Sequence, residues 1–162
     1  MRFCVFHLIF ICLSSIHAQD HATETILSGE KKLKGLAART RGELTVRHKG
    51  SLKRLKARGW VSRAKLSRDY THRTVKHNPR DHTVLIECLP KRNSPAQWGR
   101  IYYWAKEKNS LPLKEAFYSR SGNLIRILWF DRVQSKDGYV IPTRITERAA
   151  GNSTDYVSLL VK

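Results

Sequence analysis

Three histidines, His72, His77 and His82, recur at intervals of five residues and are the first place to look for metal chemistry. Their spacing does not suit it. Helical zinc sites place ligands at i and i+4, or add closely spaced cysteines, and neither pattern is present here. No metal and no cofactor is expected. Covalent catalysis fares no better. There is no G-x-S-x-G turn, and Ser119 and Ser121 fall in a turn signal. Cys88 sits inside the apolar run HTVLIECL, where a lone cysteine behaves as a small buried hydrophobe. Glu87, Glu115 and Glu147 fall on strand-like segments, where outward-pointing carboxylates are ordinary surface. Asn152-Ser153-Thr154 matches a glycosylation sequon, a short motif that carries little weight alone. No catalytic residue emerges, and no enzyme is expected.

Charge is the stronger signal. The 162 residues carry 31 Lys/Arg against 13 Asp/Glu, a formal charge of +18, with a pI near 10.3. Partners must therefore tolerate a cationic surface: anionic lipid headgroups, nucleic acid or an acidic protein. The excess is lopsided, with 17 Lys/Arg against five Asp/Glu in residues 19–80. Lys53, Arg54, Lys56, Arg58, Arg63 and Lys65 are candidate contacts to an anionic surface, at about 1 kcal/mol each near a charged membrane. A plain solvated face accounts for them equally well.

The elements that position these residues begin with a leader. Met1-Arg2 is a positive start, Phe3 to Ile16 is mostly apolar, and Ala18 suits cleavage before Gln19. Residues 1–18 are read as a secretory signal and 19–162 as a single domain. Cleavage would remove Cys4 and Cys12, so no internal disulfide is expected. Residues 20–39 have weak helical spacing, with Ile26, Leu27, Leu33 and Leu36, and predict a short amphipathic helix. Residues 42–60 predict a hairpin turning at HKGS; its second arm, LKRLKARGW, fits either a strand or a basic helical turn.

From Trp98 to Arg144, the turn signals EKNS, SRSGN and SKDG separate RIYYWAK, LPLKEAFYS, LIRILWFD and YVIPTRITE. These pieces are rich in aromatic and β-branched residues. Turns this short force antiparallel pairing, hence a β-meander. RAAGNS then turns the chain into a last strand, TDYVSLLV. In LIRILWFD, Ile125, Ile127 and Trp129 share one face, while Leu128 and Phe130 share the other with Arg126. A sheet apolar on both faces is covered on both sides or lines an oily hollow.

DYTHR, LPK, WGRIYYW, LPLKEAFYSRSGNLIRILWF and GYVIPTR, in that order, resemble the C-terminal half of the bacterial outer membrane lipoprotein-sorting (LolA-like) family. About 75 residues carry the match well, and residues 24–46 more weakly resemble the family's opening helix and strand. The chain has fewer residues between its hairpin and DYTHR than the family has, which reads as an internally shortened member.

The resemblance implies a mainly β (α+β) fold: a curved antiparallel sheet or incomplete β-barrel with a short N-terminal helix. It also implies a periplasmic carrier without catalysis, whose partners are lipoprotein or lipid acyl chains. Trp104, Phe117, Leu128, Phe130 and Ile141 are candidates to line its hollow, though each could equally be plain core. Two rival readings are a secreted basic domain that binds polyanion or nucleic acid, and a degenerate remnant without stable structure.

Overall fold

Turn chemistry cuts most of the chain into strands. Helix α1 spans residues 20–34. It is followed by β1 (Arg41–His48), β2 (Ser51–Arg58), the one-turn helix α2 (Leu66–Asp69), β3 (Tyr70–Asn78) and β4 (Thr83–Pro90). Then come β5 (Arg100–Lys106), β6 (Pro112–Tyr118), β7 (Leu124–Lys136), β8 (Tyr139–Ala149) and β9 (Tyr156–Val161). This computed structural model describes residues 20–34, 41–58, 65–136, 138–152 and 154–161. The expected leader, Arg63 and the side chain of Arg58 lie outside them.

The expected mainly β fold is what forms. One sheet of nine antiparallel strands runs β2-β1-β9-β8-β7-β6-β5-β4-β3. β3 to β9 is a continuous meander, as the turn signals require. The basic arm after HKGS is strand β2, paired along its whole length with β1. Its turn, Lys49-Gly50, has φ of 46° and 79°, as a type I′ hairpin needs at both central positions. The hairpin docks on β9, not on its chain neighbour β3. The sheet does not close into a barrel, so β2 and β3 are its edges. Both edges are blunted in the usual ways: β2 by Lys53, Arg54 and Lys56, and β3 by a bulge at Val75.

Helix α1 packs on one face of this sheet. Its buried positions, Ala22, Thr25, Ile26, Gly29 and Leu33, form a stripe at helical spacing. They join a core containing Tyr70, Ile86, Cys88, Ile101, Tyr103 and Phe117. Burial of Ile26 and Leu33 alone contributes about 1.5–3 kcal/mol per side chain. Two polar contacts fix the helix. Thr23 Oγ1 lies 3.2 Å from His72 Nδ1, and Glu30 accepts from both the backbone N–H and the hydroxyl of Ser67. Gly29 permits the close approach, since a Cβ there would lie 2.1 Å from the Tyr103 hydroxyl.

Overpacking costs about 1–3 kcal/mol and the helix-propensity gain of Ala over Gly returns about 1 kcal/mol, so Gly29→Ala is expected to lower stability to urea by up to about 2 kcal/mol. In a Tyr103→Phe background the obstructing oxygen is gone and most of the cost should vanish. Equal costs in both backgrounds would show that α1 does not rest on Tyr103.

Candidate functional site

Directly opposed residues on paired strands share a face, so register sorts the side chains. On the face beneath α1, one row runs Cys88, Ile101, Phe117 and Arg126. A second runs Ile86, Tyr103, Glu115 and Leu128, and a third Phe130, Ile145, Leu159 and Leu44. Phe117, Leu128, Phe130 and Ile141 are all buried, at 1%, 4%, 3% and 8% exposure, and belong to this inner face. Trp104 does not join them. It pairs with Leu85 and Lys114 on the outer face, and the Lys114 ammonium sits 4.6 Å from its ring centroid. The inner face is apolar except at a few positions, and α1 covers its β3–β6 end.

Glu115 is the main departure from expectation. It is not an outward carboxylate but an inward one, 2% exposed, paired across the strands with Tyr103. Neither Glu115 Oε2 nor the Tyr103 hydroxyl has a hydrogen-bond partner. Burial pushes the Glu115 carboxyl up to about 8, against the pull of Arg126 and with a further push from Glu30. A cavity of about 300 Å³ opens above these two groups, bounded by Glu30, Lys34, Lys65 and Arg68. His72 is buried beside it. Its Nε2 lies 3.0 Å from the Leu66 carbonyl, so that nitrogen carries the proton and Nδ1 accepts from Thr23. Burial lowers the His72 pKa and favours this neutral ring.

The outer face is polar and aromatic. A single cross-strand row links Trp104, Lys114, Trp129, Thr146, Ser158 and Thr45. Arg148 lies 5.8 Å from the ring centroids of both Trp129 and Tyr156. An open groove of about 740 Å³ runs here between Trp129, Arg132, Arg144, Arg148 and Tyr156, with Glu43 and Asp131 on its walls. Asp131 accepts from Arg144 at 2.5 Å. Glu87 also faces outward but is only 5% exposed, held by Arg73 at 2.6 Å and Arg100 at 3.2 Å.

The candidate cationic residues do not form one patch. Arg54 and Lys56 alternate with Lys53 along edge strand β2, so they project to opposite faces, and Lys65 stands at the rim of the cavity below α1. Leu52, on the face of Arg54 and Lys56, and Leu55, on that of Lys53, are about half exposed, at 48% and 53%. Arg54 is 3.6 Å from Glu43. Cys88 is free and fully buried, which pushes its thiol far above the ordinary range and leaves it inert. Among the described residues no three His, Cys, Asp or Glu side chains gather to hold a metal. Nor is any described helix long and apolar enough to cross a membrane.

A protein-family model described as "uncharacterized protein" matches residues 61–157. No curated protein matches the chain. Three solved structures share its fold. One is a domain ascribed to an outer membrane lipoprotein-sorting protein of Vibrio parahaemolyticus, at 18% identity and a TM-score of 0.50. That match covers 58% of this chain and 40% of the Vibrio chain, so the protein spans well under half of that relative. A LolA superfamily protein of Nitrosomonas europaea matches at 16% identity and a TM-score of 0.54, covering 83% of this chain and 91% of its own. A DUF1329 family protein of Desulfovibrio piger matches at 10% identity and a TM-score of 0.65, covering 90% and 91%. At such identities the likeness concerns the fold.

The buried Glu115 predicts a pH dependence of stability. Its folded pKa is raised, so the folded state binds more protons than the unfolded state between about pH 4.5 and 8. Its contribution is complete below the unfolded value and is lost as pH rises through 8. His72 has the opposite sign, losing its contribution as pH falls below its ordinary value of 6.5, so the window from 6.5 to 8 isolates Glu115. Urea stability should decline there by about 1–2 kcal/mol. Glu115→Gln should flatten the decline, and an unchanged slope would place its origin elsewhere.

Proposed function

The chain belongs to this family of uncharacterized proteins, and we propose that it handles lipid or lipoprotein acyl chains in the bacterial periplasm, without catalysis. The observation that carries this reading is the open antiparallel sheet with one apolar face covered by an amphipathic helix. Its shared fold with a LolA superfamily protein supports it, as does the secretory character of residues 1–18. An acyl chain gains about 0.8 kcal/mol per CH₂ on leaving water. Phe117, Leu128, Phe130 and Ile141 supply a wall for it. α1 occupies that face through a narrow stripe and two polar contacts, so a fatty chain can take its place without breaking the sheet. The outer face of β2, where Leu52 stands beside Arg54 and Lys56, is suited to rest on an anionic bilayer during transfer.

A second reading takes its support from the outer face. Rings half-exposed beside Arg148 and Lys114 can stack on the bases or sugars of a polyanion. Such binding would weaken steeply with salt.

A tether decides the first reading. Cysteines placed at Thr23 and His72, whose side chains touch, should pin α1 to β3 when oxidised. The reduced protein is expected to bind a fluorescent fatty acid saturably at micromolar concentration, and the oxidised protein at least tenfold more weakly. Undiminished binding by the tethered form would refute sheltering beneath α1. Separately, Arg54→Glu with Lys56→Glu should reduce flotation with anionic vesicles, since each cation contributes about 1 kcal/mol. Flotation unaffected by that double change would remove the hairpin from the membrane contact.

A further inference from the structure

The cavity below α1 has a floor and a rim of opposite character. Tyr103 and Glu115, only 1% and 2% exposed, line its floor, and the Tyr103 hydroxyl and Glu115 Oε2 are buried there without a hydrogen-bond partner. Buried polar atoms are almost always satisfied, so two together in one cavity point to a partner that is polar. The Glu30 carboxylate of α1 lies on the same cavity. At the rim stand three exposed cations, Lys34, Lys65 and Arg68. Arg68 gives Nε and one terminal nitrogen to Asp69, which leaves its other terminal nitrogen for a ligand.

We propose that this cavity binds an amino-phosphate group of the phosphoethanolamine type, its primary ammonium at the floor and its phosphate at the rim. Three oxygen acceptors, from Tyr103, Glu115 and Glu30, match the three N–H donors of an ammonium. Glu30 keeps lone pairs for this after accepting from Ser67. The rim cations suit a phosphate, with Arg68 offering a planar donor edge and the lysines point charges. About 300 Å³ accommodates such a group but not a diacyl lipid, so the fatty chains of a lipid source would lie outside it. The site rests on the cavity alone and stands or falls separately from the acyl-chain reading.

Among the described residues, the charged and titratable groups facing Glu115 are Tyr103 on β5, Arg126 on β7, Cys88 on β4 and Glu30 on α1, with Lys34, Lys65 and Arg68 across the cavity. With its carboxyl pushed up to about 8, Glu115 must give up a proton when an ammonium arrives at pH 7. Binding should therefore release protons and tighten as pH rises from 7 to 8.

Calorimetric titration of the full protein with glycerophosphoethanolamine tests this. Saturable binding is expected, at least tenfold tighter than that of glycerol phosphate or of ethanolamine alone. Glu115→Gln, of equal size, should lose at least tenfold in affinity and all proton release while still unfolding cooperatively. Lys34→Glu should weaken the complex without abolishing the pH dependence. Selective retention on phosphatidylethanolamine over phosphatidylglycerol vesicles, competed by the soluble headgroup, would assign the source to lipid. Its absence, with soluble binding intact, would assign it to the free compound. No binding by the unaltered protein, equal binding by Glu115→Gln, or equal binding of glycerol phosphate would overturn the proposal.

Discussion

Everything in this structure depends on covering the apolar side of a sheet that does not close. A barrel hides its interior by joining its edges. An open sheet has to find a second layer, and here α1 supplies it over the β3–β6 end. The fit is close because position 29 lacks a side chain and lets the helix rest on Tyr103. The polar contacts of Thr23 and Glu30 orient the helix, while apolar burial holds it. Such contacts are individually modest, about 0.5–1.5 kcal/mol each, so most of the cover's hold comes from its buried apolar stripe.

The same constraint explains the unusual chemistry under the helix. Most of the inner face obeys the rule that buried positions are apolar. Glu115, Tyr103 and His72 break it at the one place where helix, one-turn helix and sheet meet. His72 resolves its burial by pairing both ring nitrogens. Glu115 and Tyr103 do not, and retain unmet hydrogen-bonding capacity in a water-poor setting. On the outer face the opposite logic applies, with aromatic rings kept half-exposed and flanked by guanidinium and ammonium groups.

The sequence revealed much of the fold and less of the site. Turn residues located the meander because Gly, Asn and Asp favour turns for local reasons. The α1 stripe was legible from Ile26 and Leu33. The placement of β1 against β9 was not, since pairing between strands so distant leaves no local mark. Trp104 could not be assigned a face because RIYYWAK is apolar at both parities, so a period of two decides nothing. Glu115 was missed for the same kind of reason. A carboxylate on a strand resembles surface until the neighbouring rows are known, and only its parity with Phe117 and Leu113 within LPLKEAFY hinted at an inward position. A bulge at Leu113 weakens even that hint.

The pairing of β1 with β9 also governs the order in which the protein can assemble. Gly42 lies against Val161, more than a hundred residues further along the chain. Contacts so remote in sequence form late, because a large loop must close before they give any return. The meander can zip up strand by strand as it emerges, whereas the amino-terminal hairpin has nowhere to dock until the final strand is available. Until β9 has formed, the second neighbour of β1 is missing and the hairpin is joined to the sheet by nothing but the chain itself.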